Sequence, residues 1–444
     1  MKFSMNDSKV INFSATISSK DREVRPLSEI AQIIKEIHSP DLESHFPYIG
    51  LEHIDQQTLS LNGAGDSSKA GSNKFKFDSG DVLFGKLRPY FRKVFRPKFS
   101  GVCSTDIWVF RAKEGVAQGY LFYLLASHEF VSLASSGSSG TRMPRADWEH
   151  LKKLNWSLPP LGEQNRIAKI LGDLDEKIEL NRQMNETLEN MAHTIFKSWF
   201  IDFDPVRAKL SGKSIGLPKE IADLFSSRLV ESELGEIPEG WEVKTIQDIA
   251  ERVAMGPFGS SIKVDTFVPE GIPVISGQHL RGFMVEDSDF NYVTIEHADK
   301  LKNANVKPGD VIFTHAGNIG QVAYIPENGK FSRYVISQRQ FYVRCNLSWV
   351  SPSFMVFYFK TAEGQHRLLA NASSSGVPSI AQPVTYLRTI PLIIPPKAIM
   401  DVFDESLQPI LRQFEAIRNE SRILANLRDT LLPKLMSGEI RVTI

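Results

Sequence analysis

The stretch LPPLGEQNRIAKILGDLDEKIELNRQ, residues 158–183, closes a β-like segment with two prolines and opens a long charged helix in the middle of a 444-residue chain. Its apolar positions Ile167, Leu171, Leu174 and Ile178, followed by Asn181, Asn185, Leu188, Ala192 and Ile195, recur at alternating spacings of four and three. That is the period of a coiled-coil seam. From Gly162 to Trp199 such a helix runs about 57 Å at 1.5 Å per residue, and one that long needs a partner along its seam.

The partner is most simply found in the same chain. Pro395-Pro396 repeat Pro159-Pro160 at an offset of 236, and the helix that follows keeps the phase in Phe403, Leu407, Ile410, Phe414, Ile417, Ser421, Leu424, Arg428 and Leu431. Ile178 falls on Phe414, Arg182 on Arg418, Leu188 on Leu424 and Thr194 on Thr430. Upstream the match continues at smaller offsets: Gly80-Asp81-Val82 on Gly309-Asp310-Val311 (229), His53 on His279 (226), and Val24, Leu27, Ile30 and Ala31 on Val243, Ile246, Ile249 and Ala250 (219). A monotonic drift is what longer loops in the second copy produce. The chain is therefore one unit used twice, an internal repeat that fixes the architecture before any fold is considered.

Within each copy, VLF (82–84), VCSTDIWVF (102–110), VIFT (311–314), VAYI (322–325) and YVISQRQFYV (334–343) read as short strands, and residues 120–134 and 353–372 as the helices after them. The expected fold class is α+β: two duplicated globules with twisted sheets, each followed by a long helix, the two helices pairing as an antiparallel coiled coil. The boundaries are a first globule at 1–158, a spacer helix at 159–204, a connector and second globule at 205–394, and a second spacer helix at 395–444. Asn181 and Asn185, polar where apolar residues bind best, lower stability while fixing register.

Composition bounds the function classes. Fifty-two basic residues balance 52 acidic ones, so any polyanion-binding surface is local, and 42% hydrophobic content supplies packed cores. Cys103 and Cys345 fit no metal or redox spacing. No run approaches the ~18 apolar residues of a membrane span, so the expectation is a soluble cytoplasmic protein. SGKS (211–214) lacks the first glycine of a phosphate-binding loop, since Arg207 stands there. DFDP (202–205) lacks the order of a methyltransferase signature and reads as a helix-end turn. His53 and His279 read as packing or polar loop residues. No catalytic constellation emerges.

Binding residues are clearer. KLRPYFRKVFRPK (86–98) carries Lys86, Arg88, Arg92, Lys93, Arg96 and Lys98 without an acidic residue, interleaved with aromatics, which suits either a phosphate-binding face or a solvated hairpin. The equivalent stretch of the second copy offers His315, Asn318, Arg333, Gln338, Arg339 and Gln340. Arginine suits guanine, and asparagine or glutamine suits adenine. Gln338, Arg339 and Gln340 suit a half-exposed strand equally well. Arg142 and Arg145 charge the Ser/Gly-rich loop before the first long helix, and Ser260 and Lys263 lie in GPFGSSIK, where small residues let backbone amides approach a phosphate or simply form a turn.

Several segments together, LPPLGEQNRIAKILGDLDEKIELNRQMNETLENMAHTIFKSWFIDF, SELGEIPEGWEV, GPFGSSIK, GDVLFGKLRPY and the closing LRDTLLPKLMSGEIRV, resemble the specificity subunits of type I restriction-modification systems. The resemblance implies a non-catalytic subunit with two target-recognition domains, each reading half of a bipartite asymmetric site in double-stranded DNA. It implies helices that set the gap between the halves and dock two methyltransferase subunits, with restriction subunits joining that complex. No cofactor is implied in this subunit; S-adenosylmethionine, ATP and magnesium belong with its partners. The alternative is a self-contained DNA methyltransferase or nuclease that carries a recognition domain.

Overall fold

The structure, a computed structural model, describes residues 12–14, 22–39, 43–137, 143–214, 216–259, 261–287, 289–373 and 376–443. The chain divides into two compact units, one of residues 1–184 with 416–444 and the other of residues 185–415. Both long helices form, Leu161–Phe200 and Lys397–Ser437, and each contributes to both units.

Unit one contains a four-stranded sheet ordered Ala31–Ile34, Ile107–Ala112, Val82–Gly85, Val94–Phe95. Its second sheet runs Ile37–His38, Lys74–Phe77, Gly101–Cys103, Pro47–Ile49, Gly65–Asp66. Unit two repeats the first sheet as Ala250–Met255, Gln340–Cys345, Asp310–Thr314, Val322–Tyr324. It repeats four strands of the second as Asn305–Val306, Tyr334–Ile336, Ile272–Ile275, Asn291–Val293. In each second sheet one pair is parallel, Val102 beside Tyr48 and Val274 beside Val335. The offsets read from sequence recur in the register: Glu23 pairs with Leu158 and Glu242 with Ile394.

Two of the expected strands are each two strands in different sheets. Residues 102–110 break at a turn between Cys103 and Ile107, and 334–343 at a turn between Ile336 and Gln340, because the chain there passes from one sheet to the other. The helices after them divide likewise. Ser127 and Thr361 stop one helix and cap the next, accepting from the N–H groups of Phe130 and Gly364. The first of each pair, Gln118–Ala126 and Pro352–Lys360, is buried on nearly every side, as its unbroken apolar sequence requires.

The Gly-Asp motif has the same structural role in both copies. Gly80 and Gly309 take φ of 89° and 84°, conformations that favour glycine. The buried carboxylates of Asp81 and Asp310 then accept two-pronged bonds from Arg111 and Arg344, all at 2.7–2.8 Å. His53 and His279 also share a role: Nδ1 accepts from the backbone N–H of Gly50 and Ser276, each at 2.9 Å.

The helices pair antiparallel. In unit one Asn181 bonds Glu420 (2.8 Å), Lys177 pairs with the same carboxylate, and Asp175 meets Arg428 (2.8 Å), so numbers rise on one helix as they fall on the other. Asn181 is fully buried in the seam, and the bond to Glu420 ties its register. Seam residues near each globule bury completely: Ile167 and Leu171 in the core of unit one, Phe403 and Leu407 in that of unit two, with Ile410 and Phe414 beside them. Ile417 is buried too, whereas Leu174, Ile178, Leu188 and Leu424 are half-buried. Ile167 and Leu171 thus belong at once to the seam and to the core of unit one, and Phe403 and Leu407 to the seam and to the core of unit two. In unit one a charged network also joins globule to helices: Arg428 bonds Asp175 and the Thr58 carbonyl, and the Tyr123 hydroxyl donates to Asp175 at 2.6 Å.

Asp202 pairs with Lys197, and Asp204 accepts from the Ser198 hydroxyl, so DFDP closes the central helix. Among the described residues no helix is long and apolar enough to cross a membrane.

Candidate nucleic-acid interface

Each unit stitches the loop that leaves its Gly-Asp strand to two neighbouring segments through main-chain hydrogen bonds. In unit one the Lys86 N–H donates to the Asp106 carbonyl (2.9 Å), the Arg88 N–H to that of Pro144 (2.8 Å), and the Ala146 N–H to that of Lys86 (2.9 Å). In unit two the His315 N–H donates to Arg339 (2.9 Å), Gly317 to Pro378 (2.9 Å), and Ile380 to His315 (2.8 Å). A bridge between Leu87 and Arg145 recurs as one between Ala316 and Ser379.

The bonds define the correspondence: Lys86 with His315, Arg88 with Gly317, Asp106 with Arg339, Met143 with Val377, and Arg145 with Ser379. The main chain is the same and the side chains differ in charge, size and hydrogen-bonding capacity. Arg88 takes φ of 52°, and Gly317, in its place, 86°. For a non-glycine residue that conformation costs of order 1–3 kcal/mol and is typical of functional loops.

Of the expected contact residues, Lys86, Arg88 and Arg145 come together here, Arg145 also pairing with Asp106 at 3.2 Å. His315, Gln338 and Arg339 assemble in unit two. His315 Nε2 donates to the Gln338 carbonyl at 3.1 Å, and burial pushes its pKa down, so at neutral pH the ring is uncharged and Nδ1 is an acceptor. Gln338 and Arg339 are exposed in the turn between two strands, not within a strand, and Asn318 is exposed on the loop after Gly317.

Other residues turn inward. Arg92 is 1% exposed; its Nε donates to the Ala126 carbonyl at 2.6 Å and its guanidinium pairs with Asp429, so it holds the unit together and offers nothing to a ligand. Gln340, also 1% exposed, bonds the Ser337 and Thr314 hydroxyls. Lys93 donates to the Leu51 carbonyl, Arg96 lies over the Phe122 ring at 5.9 Å, and Arg333 is engaged by Asn305 and Asp299, both at 2.7 Å. Lys263 is exposed. Arg142 and Ser260 lie outside the described residues.

Sequence reading missed Asp106, Met143, Val377 and Ser379. The uniform offset of 236 sets Met143 opposite Ser379; the hydrogen bonds set it opposite Val377, because the second copy has two more residues between Ile380 and its strand Pro391–Ile394 than the first has between Ala146 and Asn155–Leu158. Among the described residues no group of three or more His, Cys, Asp or Glu side chains is placed to hold a metal ion.

A family model for the type I restriction modification DNA specificity domain matches the chain twice, over residues 19–190 and 238–428. The type I restriction enzyme HindI specificity subunit of Haemophilus influenzae is 25% identical over 422 residues, covering 83% of this chain and 88% of its own. The MjaIX specificity subunit of Methanocaldococcus jannaschii is 29% identical over 334 residues, covering 74% of this chain and 71% of its own. The crystal structure of a type I restriction-modification S subunit from M. genitalium superposes with a TM-score of 0.47 at 14% identity, covering 98% of each chain. With its two copies of the domain matched separately, the chain belongs to the type I restriction modification DNA specificity family.

Proposed function

We propose that this chain is the DNA-recognition subunit of a type I restriction-modification complex, that each unit reads one half of a bipartite asymmetric site, and that the helix pair sets the gap between the halves. The observation that carries the reading is the stitched junction: one main-chain scaffold built twice, with Lys86, Arg88, Asp106 and Arg145 in one unit and His315, Gly317, Arg339 and Ser379 in the other. A scaffold held constant while its polar side chains change is what two readers of different sequences need, since phosphate contacts position a protein and base-edge contacts specify the target.

In this reading the subunit performs no chemistry itself. Methyltransferase subunits docked on the helices bring S-adenosylmethionine, and restriction subunits bring ATP and magnesium. The family match supports the reading, as do the names of the relatives, which are themselves specificity subunits.

Replacing Lys86, Arg88 and Arg145 together with alanine tests the DNA interface. The assembled methyltransferase complex is expected to bind its duplex more weakly, with log affinity against log salt flattened by close to one unit for each phosphate no longer neutralised, about 3 if all three side chains bind phosphates. A fluorescence titration over salt concentration measures both. An unchanged affinity and slope assigns these side chains to a solvated face.

A further inference from the structure

Each junction has one large apolar side chain that is exposed, whereas Leu87 and Ala316 beside it are half-buried and Ala146 and Ile380 are buried. Met143 is 51% exposed and Val377 63% exposed. Single exposed apolar residues are ordinary on protein surfaces. These two occupy the same place in both copies. Each precedes the proline whose carbonyl accepts from the left-handed residue of the loop, Arg88 or Gly317, and each lies two residues before the bridge to Leu87 or Ala316. Every polar position around them has changed between the copies: lysine to histidine, arginine to glycine, aspartate to arginine, arginine to serine. The apolar position stays apolar and changes only in shape. A residue kept for folding would be covered by the unit's own core, and neither side chain belongs to one.

We propose that Met143 and Val377 are specificity residues that each contact the 5-methyl group of a thymine, one in each half of the target. The inference rests on the DNA-recognition reading above. The chemistry follows from what a base pair displays: its groove edges carry hydrogen-bond donors and acceptors, and the thymine methyl is the apolar exception. An apolar side chain fixed beside base-reading polar groups therefore has one apolar mate on a base edge. The geometry suits the task, because the backbone bonds at Pro144 and Pro378 hold each side chain at a set distance from its polar neighbours.

Deoxyuridine removes that methyl and leaves every hydrogen-bonding group in place, so the test uses the assembled methyltransferase complex and its own target duplex with each thymine replaced in turn. One position in each half-site is expected to lose about fourfold in affinity, the worth of one buried methyl-sized group. Met143→Ser is expected to abolish the sensitivity in one half-site only, and Val377→Ser in the other only. The proposal is overturned if the unsubstituted duplex binds but no single thymine matters, or if the serine variants lose affinity equally on thymine and uracil duplexes, which assigns the side chains to loop packing or to insertion between bases. Failure of the wild-type complex to distinguish its target from unrelated DNA defeats instead the recognition reading beneath it.

Discussion

Exchanging residues 22–157 for the corresponding region of another specificity subunit is expected to replace one half of the methylated site and leave the other half as it was. The exchanged region carries Lys86, Arg88, Asp106, Met143 and Arg145, and none of it belongs to unit two. The expectation is all-or-none in each half, because the junction of unit two, His315, Gly317, Arg339, Val377 and Ser379, is untouched. The hybrid must still fold on the helices it inherits. Ile167, Leu171, Leu432 and Leu435 pack into the core of unit one, and Asp175, Arg428 and Asp429 require an arginine, a tyrosine hydroxyl and a backbone carbonyl where Arg92, Tyr123 and Thr58 stand. A donor region with those partners is the one to choose. Methylome sequencing reads the outcome, and a change in both halves contradicts independent readers.

One heptad added to each long helix, after Arg182 and after Arg418, is expected to lengthen the spacing between unchanged half-sites by about three base pairs, since seven residues add about 10 Å and successive base pairs about 3.4 Å each. The two insertions belong together because the helices are antiparallel and Asn181 faces Glu420 across the seam, so both fall at nearly the same level. Inserting in one helix alone leaves seven residues without partners and puts the whole seam beyond the insertion out of register. That variant is expected to lose methylation at any spacing. Methylation by the double-insertion protein at the original spacing would show that the gap is set elsewhere and that the helices serve only for docking.

Much of this architecture is legible in the sequence because it depends on periodicity and repetition. The four-three spacing of Ile167 through Ile195 and its echo in Phe403 through Leu431 announce a helix pair, and the drifting offsets announce a duplication that the strand registers at Glu23 and Glu242 reproduce. The site was less legible, for local reasons. In KLRPYFRKVFRPK the basic residues look interchangeable, yet Pro89–Phe91 forms a short 3-10 turn flanked by left-handed residues at Arg88 and Arg92. That turn defeats any alternation rule, leaving Arg88 in the junction and sending Arg92 into the core. Arg339 and Asp106 sit where the chain passes between sheets, inside segments whose composition reads as unbroken strand. The apolar pair at Met143 and Val377 is hidden by two extra residues, a shift that backbone hydrogen bonds expose and residue identity does not.

Whether one frame carries two different readers is decided by sequencing the methylome of cells that hold this chain and its methyltransferase partner as their sole modification system. A single motif is expected, made of two short defined blocks of different sequence, separated by a fixed number of unspecified base pairs and methylated in both blocks. A contiguous motif, a palindrome with identical halves, or the same methylation in cells lacking this chain would contradict it.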